Sequence, residues 1–147
     1  MRVRAETTLP ATIEASWSAL TDWEGQADWM SDVSAVRVLT PHRRGIGVRV
    51  EVMTRVIGVP LFTDLLEVVE WRPPRRLVMR HSGLVHGTGE WSLEPVSDGS
   101  RFRWSEDVCV RLPVLGKLAL FVYRPIMRGL MRRSVSSLRR VLAGSPP

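Results

Sequence analysis

The sequence predicts an α+β domain in which a seven-stranded, curved antiparallel sheet wraps around one long C-terminal helix, with two short helices after the first strand. Three observations predict it. Apolar side chains alternate with period two over residues 3–9 and through much of the stretch 33–111, as in half-buried strands. The breaks in that stretch are short turns, as at 72–74 and 97–100, and short turns between successive strands imply antiparallel hairpins. Over residues 114–142 the period becomes helical and one face is apolar. Such a face must be covered, and a strongly curved sheet can cover it.

The elements follow in order. Val3, Ala5, Thr7 and Leu9 alternate with Arg2, Arg4, Glu6 and Thr8, and Pro10 ends this strand. Ile13, Trp17 and Leu20 share one helical face, with Pro10 and Thr12 supplying start chemistry. Residues 22–31 read as a second short helix anchored by Trp23 and Trp29. Val36 and Val38 mark the next strand, and 41–45 a turn. Ile46, Val48, Val50 and Val52 then alternate with the outward Arg49 and Glu51. Strands at 61–71, 76–81, 85–94 and 101–111 complete the sheet. On the C-terminal helix Arg124, Arg128, Arg132, Arg133, Arg139 and Arg140 occupy one half of the wheel. Ile126, Met127, Leu130, Met131, Leu138 and Val141 occupy the other, with Val135 the exception; Pro125 is expected to start a new segment or kink the helix.

A chain of 147 residues has room for one domain, taken as residues 1–147. With 44% hydrophobic and 24% charged residues, the composition excludes a disordered chain. The uncharged apolar run at 118–123 is far too short to cross a membrane. The start carries no apolar signal region and the lone Cys109 has no disulfide partner, so the cytoplasm is the expected compartment. The net charge of +6 is local: residues 1–112 hold 14 basic and 15 acidic side chains, residues 113–147 hold seven basic and none acidic.

The element order joins four local patterns. These are Pro10, Trp17, Leu20, Asp22 and Trp29 around the helix pair, Gly45-Ile46-Gly47 opening a strand, the run Glu67-Val68-Val69-Glu70-Trp71-Arg72-Pro73-Pro74-Arg75-Arg76-Leu77, and Asp98-Gly99-Ser100-Arg101-Phe102. Together they resemble the helix-grip fold of the START-like superfamily, specifically the SRPBCC proteins described as polyketide cyclase/dehydrase and lipid transport. The resemblance spans nearly the whole chain. It implies a cavity between sheet and helix that takes an apolar ligand, and leaves the chemistry open, since the scaffold hosts many activities.

The candidate site residues are those whose register faces that cavity. Over 101–111 the even positions are Phe102, Trp104, Glu106, Val108 and Val110. Glu106 is therefore a carboxylate on an apolar face, a setting that suits a general acid or base, or a structural carboxylate held by an Arg or a Trp N–H. His81 shares a face with Leu77 and Met79 and is the second catalytic candidate, able to shuttle a proton, bind a ligand oxygen or sit solvated at the cavity mouth. Asp64 and Glu67 have opposite parity, so one of them points inward: Phe62, Leu66 and Val68 side with Asp64, and Leu65, Val69 and Trp71 with Glu67. A bulge would exchange them. The expected ligand-lining set is Val50, Val52, Asp64, Met79, Phe102, Trp104 and Val108 from the strands, with Val122 and Ile126 from the helix.

Other motifs are ordinary. His86 lies on the polar register, His42 in a turn and Cys109 on the outward register, so no metal site and no cofactor are expected. Gly45-x-Gly47 lacks the third glycine of a dinucleotide fingerprint and the lysine of a P-loop, and there is no Gly-x-Ser-x-Gly elbow. The leading functional expectation is binding of a small hydrophobic or amphipathic ligand, such as a lipid, isoprenoid or polyketide-like compound. The alternative on the same scaffold is a cyclase or dehydratase in which Glu106 or His81 moves protons. A third class is attachment to an anionic membrane through the Arg face, which requires a free apolar face to insert. Nucleic-acid binding is not favoured, because the Arg face lacks interleaved aromatics.

Overall fold

The computed structural model describes residues 1–56, 59–111 and 116–144. Strand β1 (Arg2–Leu9) leads into helix α1 (Ile13–Leu20) and a 3₁₀ helix (Glu24–Asp28). Then come β2 (Val33–Val38), β3 (Arg49–Val56), β4 (Val59–Arg72), β5 (Arg76–Ser82), β6 (Val85–Val96), β7 (Gly99–Val110) and helix α2 (Gly116–Leu142). The strands form one antiparallel sheet in the order β1-β7-β6-β5-β4-β3-β2. This is the helix-grip arrangement.

Local chemistry explains the ends of the elements. Thr12 caps α1 by accepting a hydrogen bond from the Ala15 amide at 3.1 Å. The second short helix is 3₁₀ rather than α: it spans only five residues, and the buried Gln26 turns its side-chain amide back to the Leu20 carbonyl at 2.9 Å. Strand β3 begins at Arg49 rather than at Ile46, because Gly45 and Gly47 both take positive φ and form a turn that leaves Ile46 exposed. Register shifts between Val33 and Ala35, Thr54 and Arg55, and Val68 and Glu70 add local twist to the half of the sheet that must curl.

The convex face carries paired charges: Arg80 with Glu67, Arg76 with Glu70 and Glu90, Arg103 with Glu6, and Arg101 with Glu94. The concave face is apolar and holds two aromatic groups. Trp29, Trp91 and Trp104 meet with ring centroids 5.9 to 6.2 Å apart, and Trp17 packs edge-on against Trp71 at 5.1 Å. Ser16 bonds Ser100 at 3.2 Å, and the Ser100 hydroxyl donates to the Ala11 carbonyl at 2.5 Å, fixing α1 to the start of β7.

Helix α2 runs through Pro125 and does not start a new segment there; the expected beginning at Val114 lies outside the described residues. Its buried stripe is narrower than the apolar half of the wheel. Met131, Ser134, Val135 and Leu138 are buried, while Ile126 is 41% and Val141 38% exposed. Val135, the exception on the wheel, is therefore a core residue. The rotation has a cause in hydrogen bonds: the Ser31 amide donates to the Ser134 hydroxyl at 2.9 Å, and the Ser31 hydroxyl to the Leu130 carbonyl at 3.0 Å. These bonds hold the Ser134 side of the helix against the link before β2.

Truncating a fully buried side chain in this stripe removes packing that cannot be recovered. Leu138→Ala is expected to lower unfolding stability by about 3 kcal/mol, and Ile126→Ala by less than about 1 kcal/mol. Urea denaturation midpoints check both, and equal losses would contradict the stripe.

Candidate functional site

A cavity of about 120 Å³ lies between the concave face and α2, walled mainly by apolar side chains, among them Val52, Leu66, Met79, Trp91, Trp104 and Val108. Three strands deliver titratable groups into it. Asp64 comes from β4, His81 from β5 and Glu106 from β7, and all three side chains are largely buried. His81 Nδ1–H donates to Asp64 Oδ2 at 2.5 Å, and His81 Nε2–H to Glu106 Oε2 at 3.0 Å. Glu106 Oε1 accepts from the Trp104 indole N–H at 2.7 Å, and Asp64 Oδ1 from the Leu65 amide at 3.0 Å. The imidazole is clamped at both nitrogens.

Glu106 needs an empty place beside it. Gly89 on β6 pairs with Glu106 across the sheet, and a Cβ there would lie 2.7 Å from both carboxylate oxygens. The glycine is required by this close approach. On β4 the bulge at Val68/Glu70 falls after Asp64, so it leaves Asp64 inward and Glu67 outward, the latter paired with Arg80. Past the bulge the parity exchanges. Trp71 then lies opposite the buried Leu77 and packs on Trp17 and Trp23, on the side opposite to the one its spacing predicts.

Charge in the cluster follows from these contacts. Burial opposes the charged imidazole, yet the hydrogen bonds to Asp64 and Glu106, with the charges of both, outweigh it and raise the His81 pKa to about 10. His81 is thus an imidazolium at neutral pH. Two further titratable groups line the cavity, Asp32 and Tyr123. Burial pushes the Asp32 carboxyl up, a backbone amide hydrogen bond offsets this in part, and the charge of Glu106 adds to the rise. Burial, with a smaller contribution from the charge of Asp32, lifts the Tyr123 hydroxyl to about 12.

Of the residues expected to line the cavity, Val52, Asp64, Met79, Trp104 and Val108 do so, as do Glu106 and His81. Val50 and Phe102 share the inward face but are packed in the core, with no exposure and no part in the cavity wall. Val122 and Ile126 are corrected outright: they are 57% and 41% exposed, since the α2 stripe turned toward the cavity carries Tyr123 and Met127 instead. Spacing missed Asp32 and Tyr123. Asp32 lies in the irregular link before β2, where no period fixes direction, whereas Tyr123, Met127 and Met131 form an i, i+4, i+8 series that was readable. His86 is half-buried rather than exposed, and Cys109 is exposed. Asp64, His81 and Glu106 are bonded to one another, and no group of three or more His, Cys, Asp or Glu side chains arranged to hold a metal ion occurs among the described residues. A second, more polar concavity, bounded by Trp17, Trp23, Arg43, Arg44 and Trp71, lies near the β4–β5 turn.

Because the folded pKa of His81 stands above its ordinary 6.5, its stabilising contribution is complete below about pH 6.5. It is lost as pH rises through about 10, at about 1.4 kcal/mol per pH unit within that window. The ring nitrogen resonances of His81 are expected to report a doubly protonated ring up to about pH 9. In Gly89→Ala, where the added methyl displaces the Glu106 carboxylate, the deprotonation midpoint is expected at least about one pH unit lower. An unshifted midpoint would show that Glu106 does not hold the proton.

The family described as polyketide cyclase / dehydrase and lipid transport matches residues 1–143 of the chain. No curated protein matches. Among solved structures, TTHA0849 from Thermus thermophilus is 21% identical, covers 98% of each chain and superposes with a TM-score of 0.83. A START superfamily protein from Mycobacterium smegmatis is 17% identical, with 97% of this chain and 94% of that chain covered and a TM-score of 0.70. The Zhui aromatase/cyclase from Streptomyces sp. R1128 is 19% identical, with 98% and 92% covered and a TM-score of 0.73. At these identities the structures speak for the fold alone, while the family match covers nearly the whole sequence. The chain belongs to the polyketide cyclase / dehydrase and lipid transport family.

Proposed function

We propose that this protein binds a small hydrophobic or amphipathic molecule in the cavity between the sheet and α2. The observation that carries the reading is an apolar cavity with one convergent polar cluster on its wall, the usual build of a small-molecule site. The apolar body of the ligand would lie against Val52, Met79, Trp91 and Val108, and its polar end would meet the carboxylates around His81. On this reading Glu106 and His81 orient the ligand and do not turn over a proton. Both imidazole nitrogens are engaged by carboxylates, and a pKa near 10 leaves the ring a weak acid at neutral pH. The competing cyclase or dehydratase reading needs a group that both gains and loses a proton near neutrality.

A neutral six-carbon alcohol is expected to shift the tryptophan emission of the native protein, since Trp91 and Trp104 border the cavity. Val52→Phe and Val108→Phe, which fill the space, are expected to weaken that response at least about tenfold. An equal response in native protein and both variants would place the binding elsewhere.

A second reading concerns the outer face of α2. Leu118, Phe121, Val122 and Ile126 are exposed there, Phe121 by 79%, beside the exposed cations Lys117, Arg124 and Arg128. No helix among the described residues is long and apolar enough to cross a membrane. An exposed apolar stripe rimmed by cations, on a segment without a single acidic residue, fits an anionic lipid surface. The like charges disfavour packing of two such helices together. The protein is expected to sediment with vesicles containing anionic lipid at low salt, and Phe121→Glu with Val122→Glu to abolish this. No sedimentation of the native protein at low salt would end the reading.

A further inference from the structure

We propose, building on the binding reading above, that the cavity selects ligands whose polar end donates hydrogen bonds, an amine above all and then a hydroxyl, and rejects those ending in a carboxylate or phosphate. The argument is a census of the charged groups that face the cavity from each element around it. Asp64 on β4 and Glu106 on β7 face inward, with the His81 ring of β5 between them. Asp32, from the link before β2, adds a third carboxyl. No Lys or Arg side chain is among the described residues that line the cavity. The arginines of these strands lie on the convex face against Glu6, Glu67, Glu70, Glu90 and Glu94, and those of α2 point to solvent. Met1 also lines the cavity, and its backbone nitrogen donates to the Val108 carbonyl at 2.9 Å.

The cationic side chain in the wall, His81, has no proton left to offer, because both ring nitrogens are bonded to carboxylates. The cluster of His81, Asp64 and Glu106 therefore sums to one negative charge when both acids are ionised. Its free capacity is in acceptors. Each of the four carboxylate oxygens of Asp64 and Glu106 receives one hydrogen bond and retains a lone pair. The neutral hydroxyls of Thr54 and Tyr123, also in the wall, could donate to a ligand oxygen but could not neutralise an anion. A buried anion beside a net negative cluster would be desolvated and repelled, whereas an ammonium would meet acceptors and opposite charge. Asp32 fits the same logic: held toward its neutral form by burial, it would ionise on meeting an ammonium.

The test is titration of the whole protein at pH 7 with straight-chain six- and eight-carbon amines, alcohols and carboxylates, read by calorimetry and tryptophan emission. The amine is expected to bind tightest and the alcohol next, with the carboxylate about a hundredfold weaker than the amine. Glu106→Gln and Asp32→Asn are each expected to narrow the amine-to-carboxylate ratio at least about fivefold. Asp32 makes no side-chain hydrogen bond to another side chain among the described residues, so Asp32→Asn carries the test if Glu106→Gln fails to fold. A carboxylate that binds as tightly as its amine overturns the selectivity and leaves the cavity reading standing. A ratio unchanged in the folded variants overturns the assignment to these carboxylates. Absence of binding by all six compounds overturns the cavity reading as well.

Discussion

The imidazolium of His81, held between Asp64 and Glu106, is the interaction on which the interior of this protein depends. An ionised carboxylate is tolerated among Val, Met and Trp side chains only when its charge and lone pairs are answered. Here one ring answers two carboxylates at once, tying β4 and β7 to β5 between them, and the Trp104 indole completes Glu106. Loss of any member would leave a buried charge uncompensated, which costs more than the pair is worth as a net interaction. The cluster is therefore a constraint on the sheet as much as a feature of a cavity. Gly89 belongs to it although it makes no polar contact, because its missing side chain is the space Glu106 occupies.

The two charge systems of the molecule are separated by the sheet. Outside, arginines and glutamates pair across neighbouring strands at solvent-exposed positions, where each pair is worth little. They fix which face of the sheet is wet. Inside, a few groups are enclosed and each matters. Helix α2 closes the inside with a narrow stripe pinned through Ser31 and Ser134, and so presents much of its remaining apolar surface outward over its first three turns.

How much of this was legible in the sequence depended on how regular the backbone is. On β7, paired with both neighbours without a register shift, alternation alone placed Phe102, Trp104, Glu106 and Val108 inward. On β4 the same rule worked up to Val68 and failed at Trp71, because a bulge adds one residue and carries no distinctive composition. On α2 the wheel gave the polar face correctly but not the width of the buried one. That width is set by hydrogen bonds from Ser31, about a hundred residues away in sequence. Asp32 was invisible for a related reason: it sits in a link whose direction is decided by what packs around it. The partnership of His81 with two carboxylates from other strands could not be read, since register between strands is a property of the fold.

The position of β1 has a consequence for how the chain reaches this state. Strand β1 is an edge strand that pairs with β7, the last strand of the sheet, with Arg2 opposite Asp107 and Leu9 opposite Ser100. Its hydrogen bonds therefore close a loop of roughly ninety to a hundred residues, an entropic cost that grows only slowly with length but must be met before the pairing stabilises anything. Topologies dominated by such distant contacts fold slowly. Until β7 has emerged from the ribosome, β1 has no ladder to join, and the hairpins β3 to β6 can form without it. Residues 2–9, translated before every other strand of the sheet, would be the last strand to become protected from solvent exchange.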